Sequence, residues 1–259
     1  MIDPFERCAP EPCLAETHPL SNAPVPEAMG PVGVIMLNTR FPRLPGDIGH
    51  PDTFEGRVLY RRVDRARVGA VVRSEAVEEP LVRDLIDAAR ALEAEGARVI
   101  ATSCGFLGAL QERLRAAVSV PVLSSALVLV PLLRAAYGPR GSLGVLTFDA
   151  RALKPAHFGA MWDPDLLVEG LESSRTFYPA IAEDQPTLDA ALAEGDAAMA
   201  AQRLRGRAGG RLGAVILECT NLGPYSRRIR MEADAPVFDL AMAVRWMTTG
   251  LLSSRSASG

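Results

Sequence analysis

The chain has 259 residues, of which 48% are hydrophobic, 23% charged and 5% aromatic, with a net charge of −3 and an isoelectric point near 5.7. This is the composition of an ordinary globular protein, and its mild acidity argues against a nucleic-acid footprint spread over the whole surface. No apolar stretch reaches the roughly 18 residues of a membrane span, since the richest one, Val118 to Leu133, is broken by Pro121, Ser124, Ser125 and Pro131. Of the 28 basic residues 27 are Arg and only Lys154 is Lys, a compositional bias and not a functional signal.

Residues 1–29 carry six prolines and no periodicity, and are expected to form a flexible leader. They lack the apolar core of a signal peptide, so the expected location is the cytoplasm, where the four cysteines would stay reduced. Two of these, Cys8 and Cys13, lie in the leader without ligand-spaced neighbours. Val32 to Leu37 is a short apolar run rich in β-branched residues, suited to a buried strand. Asn38 to Arg57 holds three Pro and three Gly and predicts a long loop, and Val58 to Val63 a second strand. From Pro80, the residues Leu81, Leu85, Ala88, Ala89 and Leu92 repeat at helical spacing until Gly96. A strand over Arg98 to Ala101, a helix over Leu107 to Val118, an extended Pro121 to Leu123 and a helix over Ala126 to Ala136 follow. Such alternation predicts parallel sheet with helices on its faces.

The pattern then repeats. Gly141 to Leu146 matches Gly30 to Ile35 at an offset of 111, and Leu212 to Cys219 matches Ala97 to Cys104 at an offset of 115. Seventeen residues beyond each of these cysteines stands a Pro-Val pair, Pro121-Val122 and Pro236-Val237. Pro186 to Arg205 is the expected counterpart of the Pro80 helix, and Asp239 to Leu251 closes the second half as a helix. The expected architecture is α/β, with two pseudo-symmetric lobes, each a short, mainly parallel sheet flanked by helices, and a site cleft between them. The lobes would span residues 30–138 and 139–259, with the C-terminal helix free to pack back on the first.

Strand ends in open α/β sheets face the crevice where ligands bind. Cys104 and Cys219 each close an apolar strand and precede a turn into a helix, where the helix dipole and free amides favour a thiolate and can seat a carboxylate. A lone free cysteine is more often a small core hydrophobe. Two at matched positions of a repeat point instead to one cleft approached by two thiols, an arrangement suited to taking a proton from one face of a carbon and returning one to the other.

Ala101-Thr-Ser-Cys-Gly105 and Glu218-Cys-Thr-Asn-Leu222, with Gly-Val-Leu-Thr147 opening the second half, resemble the motifs of the aspartate/glutamate racemase superfamily, which includes hydantoin racemases, maleate cis–trans isomerases and arylmalonate decarboxylases. The resemblance covers about residues 30 to 250. It implies a cofactor-independent reaction at the carbon α to a carboxylate, a small carboxylate as substrate, and a homodimer. Gly105-Phe106 stands where an Asn-Thr pair usually follows the first cysteine, and Phe148 where some relatives have a carboxylate-binding Tyr, so the resemblance names no specific amino acid.

Cys104 and Cys219 are the expected catalytic pair. Asn38, Ser103, Gly105, Thr147, Phe148, Thr220 and Asn221 are candidate substrate contacts, with Arg40 a weaker one. Asp47 and His50, in the loop Pro45-Gly-Asp-Ile-Gly-His50, are candidates for tuning the thiols. His18 and His157 have no partner pattern. Neither a metal-ligand cluster nor a phosphate-binding glycine loop is visible, so no metal or cofactor is expected, and no nucleic-acid or membrane partner. The expected activity is two-cysteine racemisation or epimerisation. Its rivals are a one-cysteine isomerase or decarboxylase and, from another class, a two-lobed binding protein without catalysis.

Overall fold

The computed structural model describes residues 31–54, 58–138 and 141–252. The expected leader, with Cys8, Cys13 and His18, lies outside the described residues. In chain order the elements are β1 (Val32–Leu37), β2 (Val58–Val63), α1 (Val68–Val71), α2 (Glu79–Ala94), β3 (Val99–Thr102), α3 (Gln111–Arg115), β4 (Val122–Leu123) and α4 (Val130–Tyr137). There follow β5 (Ser142–Thr147), α5 (Pro155–Phe158), β6 (Leu167–Gly170), α6 (Phe177–Ala182), α7 (Ala190–Arg207), β7 (Leu212–Leu217), α8 (Ser226–Ala233), β8 (Val237–Phe238) and α9 (Leu240–Leu252).

The strands form two four-stranded sheets of identical order, β2-β1-β3-β4 and β6-β5-β7-β8, and every pairing within them is parallel. Apolar residues dominate the strands because helices cover both faces: β3 and β5 are buried almost end to end. Helix α2 starts with Pro80 in its first turn and buries Leu81, Leu85 and Leu92. Helix α7 starts at Ala190 rather than at Pro186, because the Asp189 carboxylate accepts from the Ala191 and Leu192 amides and caps it there.

The expected helix over Leu107 to Val118 is instead a 3-10 turn, Gly105–Leu110, followed by the short α3, and Ala126–Leu129 likewise forms a 3-10 turn before α4. Close packing explains the first tight turn. A Cβ on Gly108 would stand 2.5 Å from the His157 carbonyl of the other half. The corresponding turn after β7, Thr220–Tyr225, has the same cause, since a Cβ on Gly223 would stand 2.2 Å from the Gly46 carbonyl. Strand β6 and helices α1, α5 and α6 were not expected.

The two halves exchange helices. Helix α4, which follows the first sheet, packs on β7, and α9, which follows the second, packs on β3 and β4. Leu240, Ala241 and Val244 of α9 share a core with Ile100, Leu123 and Leu127. No helix among the described residues is long and apolar enough to cross a membrane.

Candidate active site

Strands β3 and β7 end side by side at the junction of the halves, and the residues just beyond them are arranged crosswise. Cys104 begins the Gly105–Leu110 turn and Cys219 the Thr220–Tyr225 turn. The Thr220 hydroxyl reaches across to donate to the Ser103 carbonyl at 2.9 Å. In the mirrored contact, the Gly105 Cα lies against the Glu218 backbone so closely that a Cβ would stand 2.1 Å from the Glu218 carbonyl and 2.3 Å from Glu218 Oε1. Glycine at 105 is therefore a steric requirement.

Cys104 and Cys219 line one cleft of about 360 Å³, open mouth included, whose other walls are chiefly apolar. Phe41, Phe106, Phe148 and Ile181 are among them, and Phe148 is held flat against Tyr178 with ring centres 4.5 Å apart. Of the residues expected at the site, Ser103, Gly105, Phe148, Thr220 and Asn221 line this cleft. Thr147 stands behind it, donating its hydroxyl to Glu218 Oε2 at 2.7 Å. Asp47 lies beneath, buried, accepting from Asn221 Nδ2 at 2.5 Å and from Arg43 Nη1 at 2.9 Å.

Three expected residues are elsewhere. Asn38 donates to the Asp64 carbonyl and ties its own loop to the end of β2. His50 Nδ1 accepts from the Asp52 amide and caps the short turn Pro51–Thr53. Arg40 is exposed and clasps Asp184 at the C-terminal end of α6; Asp184 Oδ1 also accepts from the Arg40 and Phe41 amides. This clasp holds the loop that carries Phe41 and Arg43 over the cleft.

Two site residues escaped the sequence. Arg43 was one basic residue among 28, yet its guanidinium stacks over Phe41, bonds Asp47 through Nη1, and leaves Nη2 buried without a hydrogen-bond partner in the cleft wall. Glu218 opens the second cysteine motif, where in sequence it looks like an ordinary solvated carboxylate. Its side chain is buried, Oε2 takes the Thr147 hydroxyl, and Oε1 has no partner. An unpaired buried donor and an unpaired buried acceptor each cost free energy, and both belong to residues that line the same cleft.

Burial governs the electrostatics. It pushes the Glu218 carboxyl up to about 7, against the pull of hydrogen bonds from Thr147 and the Phe148 amide. It also pushes the Cys104 thiol up to about 12; the Glu218 charge adds to the rise, while the Phe106 and Leu107 amides and the Arg43 cation oppose it. Cys219 is likewise raised by burial and by Glu218, with one amide, that of Asn221, in opposition and with Cys104 and Asp47 adding to the rise. Its Sγ lies 3.7 Å from Asn221 Oδ1, placed to donate its proton there. Two amides and a cation against one amide and a carboxylate make Cys104 the more readily ionised thiol. Among the described residues no group of His, Cys, Asp and Glu is arranged to hold a metal ion.

A family model described as Asp/Glu/hydantoin racemase matches residues 63–248. The chain is 29% identical over 231 residues to a dimethylsulfoniopropionate lyase of Durusdinium sp. clade D, covering 86% of this chain and 75% of that one. It is 29% identical over 223 residues to dimethylsulfoniopropionate lyase 7 of Emiliania huxleyi (strain CCMP1516), covering 80% of this chain but only 63% of that one. In fold it is similar to allantoin racemase from Klebsiella pneumoniae, with a TM-score of 0.58 at 16% identity over 86% of this chain and 87% of that one.

Proposed function

The chain belongs to the Asp/Glu/hydantoin racemase family, and from that premise we propose that it is a cofactor-independent lyase in which a cysteine removes the proton α to a carboxylate and a β-sulfonium group departs. The proposed substrate is dimethylsulfoniopropionate or a near analogue, the compound for which both curated relatives are named. The observation that carries the reading is Arg43: a buried guanidinium with Nη2 unpartnered, in the wall of a cleft that also holds two strand-end thiols, is built to take a carboxylate.

With the carboxylate on Arg43, its α-carbon comes within reach of Cys104, the more ionisable thiol. The Cys104 thiolate takes the α-proton, and the C–H electron pair becomes the new carbon–carbon π bond. The β-carbon–sulfur pair leaves with sulfur, so the sulfonium departs as neutral dimethyl sulfide and the remainder is acrylate. Because the leaving group is neutral when it goes, it needs no proton, and one base suffices. Arg43 stabilises the charge that builds on the carboxylate as the proton leaves. The Cys219 thiol, turned to Asn221 Oδ1, stays protonated and shapes the opposite wall.

The matched placement of the two cysteines favours a second reading, two-base racemisation of a small α-substituted carboxylate, in which Cys219 returns a proton to the opposite face. One experiment separates the two. The protein is incubated in deuterated water with dimethylsulfoniopropionate and, separately, with single enantiomers of small amino acids and hydantoins. Acrylate and dimethyl sulfide are expected from the first; α-deuterium and inversion in the second set, with no acrylate from the first, would replace the lyase by the racemase.

A further inference from the structure

Arg43 accounts for one of the two unpartnered charged-type groups in the cleft, and Glu218 is the other. Its Oε2 is anchored by Thr147, and Gly105 packs against Oε1, where any side chain would strike it, so the carboxyl is fixed at both oxygens. Nothing in the α-proton step uses it as acid or base. A carboxyl there with one bare oxygen either keeps its proton or, once ionised, is costly unless a positive charge lies close to it.

The kind of positive charge follows from the walls. A primary ammonium would need three hydrogen-bond acceptors, but the polar side chains of the lining are already engaged: the Ser103 hydroxyl takes the Leu37 amide, the Thr220 hydroxyl donates to the Ser103 carbonyl, and Asn221 meets Asp47 through Nδ2 and Cys219 Sγ through Oδ1. An onium centre, sulfur or nitrogen bearing only carbon substituents, has no N–H to satisfy. Its charge is spread over its methyl groups, which can pack against the aromatic wall of Phe41, Phe106 and Phe148 while the carboxylate acts across a low-dielectric wall. We propose that Glu218 is the specificity-determining residue for a permanently charged onium group, so that Arg43 and Glu218 together select zwitterionic β-onium carboxylates over neutral β-substituted acids and over amino acids. This rests on the lyase reading for the position of the onium group, but it concerns binding alone.

The test therefore uses binding of two ligands of the same shape. One is β-alanine betaine, with a trimethylammonium in place of the sulfonium; the other is its carbon isostere, with a tert-butyl group there instead. The affinity ratio of betaine to isostere is measured calorimetrically for the wild type, Glu218→Gln and Gly105→Ala. Taking the ratio within each protein cancels differences in folding or in the carboxylate site. Glu218→Gln is expected to lower it about 10- to 100-fold. Gly105→Ala, which displaces the carboxylate, is expected to lower it in the same direction.

In the wild type the ratio should also rise between pH 6 and 8 as the carboxyl ionises. Of the groups around it, the Cys104 and Cys219 thiols stay protonated there, Arg43 Nη1 lies 2.9 Å from Asp47 Oδ1, and His157, edge-on to Phe106, is held neutral by burial. A ratio that is the same in wild type and Glu218→Gln, or a wild-type ratio flat with pH where Glu218→Gln binds neither ligand, overturns the proposal. Acrylate formation is scored separately: a betaine preference without acrylate retires the lyase and keeps the onium site, and acrylate without the preference does the reverse.

Discussion

The two cysteines occupy matched positions, yet their surroundings share a backbone and little else. Beside Cys104 stand Ser103, Gly105 and Phe106; beside Cys219, at the same repeat offset of 115, stand Glu218, Thr220 and Asn221. Each half sends a loop across to the other's turn, pressing Gly46 on Gly223 and His157 on Gly108. The loop that reaches Cys219 brings Asp47 to Asn221, a charged group on an amide. The loop that reaches Cys104 brings His157 edge-on to Phe106, with ring centres 5.0 Å apart. His157 Nε2 bonds the Arg73 carbonyl and Nδ1 takes the Lys154 amide, so this ring is a neutral strut between the halves. An enzyme that passes protons both ways between two thiols gains from making them alike. Here the two halves share the thiols and the crossing loops while the side chains around them differ, which suits the proposed reaction with one base and one departing group.

The strongest way to break this comparison is to remove the thiols one at a time. Cys104→Ala should lower kcat for acrylate release about 1,000-fold or more, as loss of a positioned base does, while Cys219→Ala should lower it about 10- to 100-fold through disturbed packing and carboxylate alignment. kcat/KM in the wild type should climb with pH toward the range where Cys104 ionises, without a descending limb from a required acid. Equal losses of about 1,000-fold in both variants, with a bell-shaped profile, would restore the symmetric two-base mechanism.

Arg43 sharpens the comparison, because the corresponding loop of the other half carries no cation into the cleft wall. Arg43→Ala should cut kcat/KM about 100- to 1,000-fold by leaving the substrate carboxylate without its partner. Arg43→Lys should recover only part of this, since an ammonium cannot serve Asp47 and a carboxylate with the same planar fork. Near-normal kcat/KM in Arg43→Ala would place the carboxylate elsewhere, against the turn amides.

What the sequence disclosed and what it hid divide along physical lines. The parallel strands were legible because burial on both faces writes unbroken apolar runs such as Val99-Ile-Ala101 and Leu212 to Leu217, and the repeat offsets located the cysteines. Strand β6 was not, because it is an edge strand whose Leu167, Val168 and Glu169 are only half buried, so its run is short and interrupted. The 3-10 turns were misread as helices because apolar residues three apart, Leu107, Leu110 and later Leu114, fit either period. Arg43 and Glu218 were hidden for another reason. A charged side chain in a sequence looks solvated until the fold shows both of its neighbours, and only the crossing of the loop with Phe41, and of Gly105 with Glu218, takes these two out of water.

The last test concerns Ser103 and Glu218, the matched pair that differs most in chemistry. Ser103 is neutral, and its hydroxyl accepts from the Leu37 amide at 2.9 Å, so its contribution to stability is independent of pH. Glu218 is a carboxyl whose value in the fold is raised from 4.5 to about 7 by burial. Between those values the folded state holds a proton that the unfolded state has released. The fold is therefore fully stable, as far as this group goes, below the unfolded value, and stability is lost as pH rises through the folded one, to a total of about 3 kcal/mol. Glu218→Gln keeps the shape and removes the ionisation. Its Tm should lie close to the wild-type value at pH 5 and above it at pH 8 by about 6 to 12 °C, with the difference opening mainly between pH 5 and 7.5. Ser103→Ala should lower Tm by a similar amount at both pH values. A Glu218→Gln difference that does not change with pH would mean that the carboxyl already has a counter-charge in the free protein, and the contrast between the two halves would then be one of shape and packing alone.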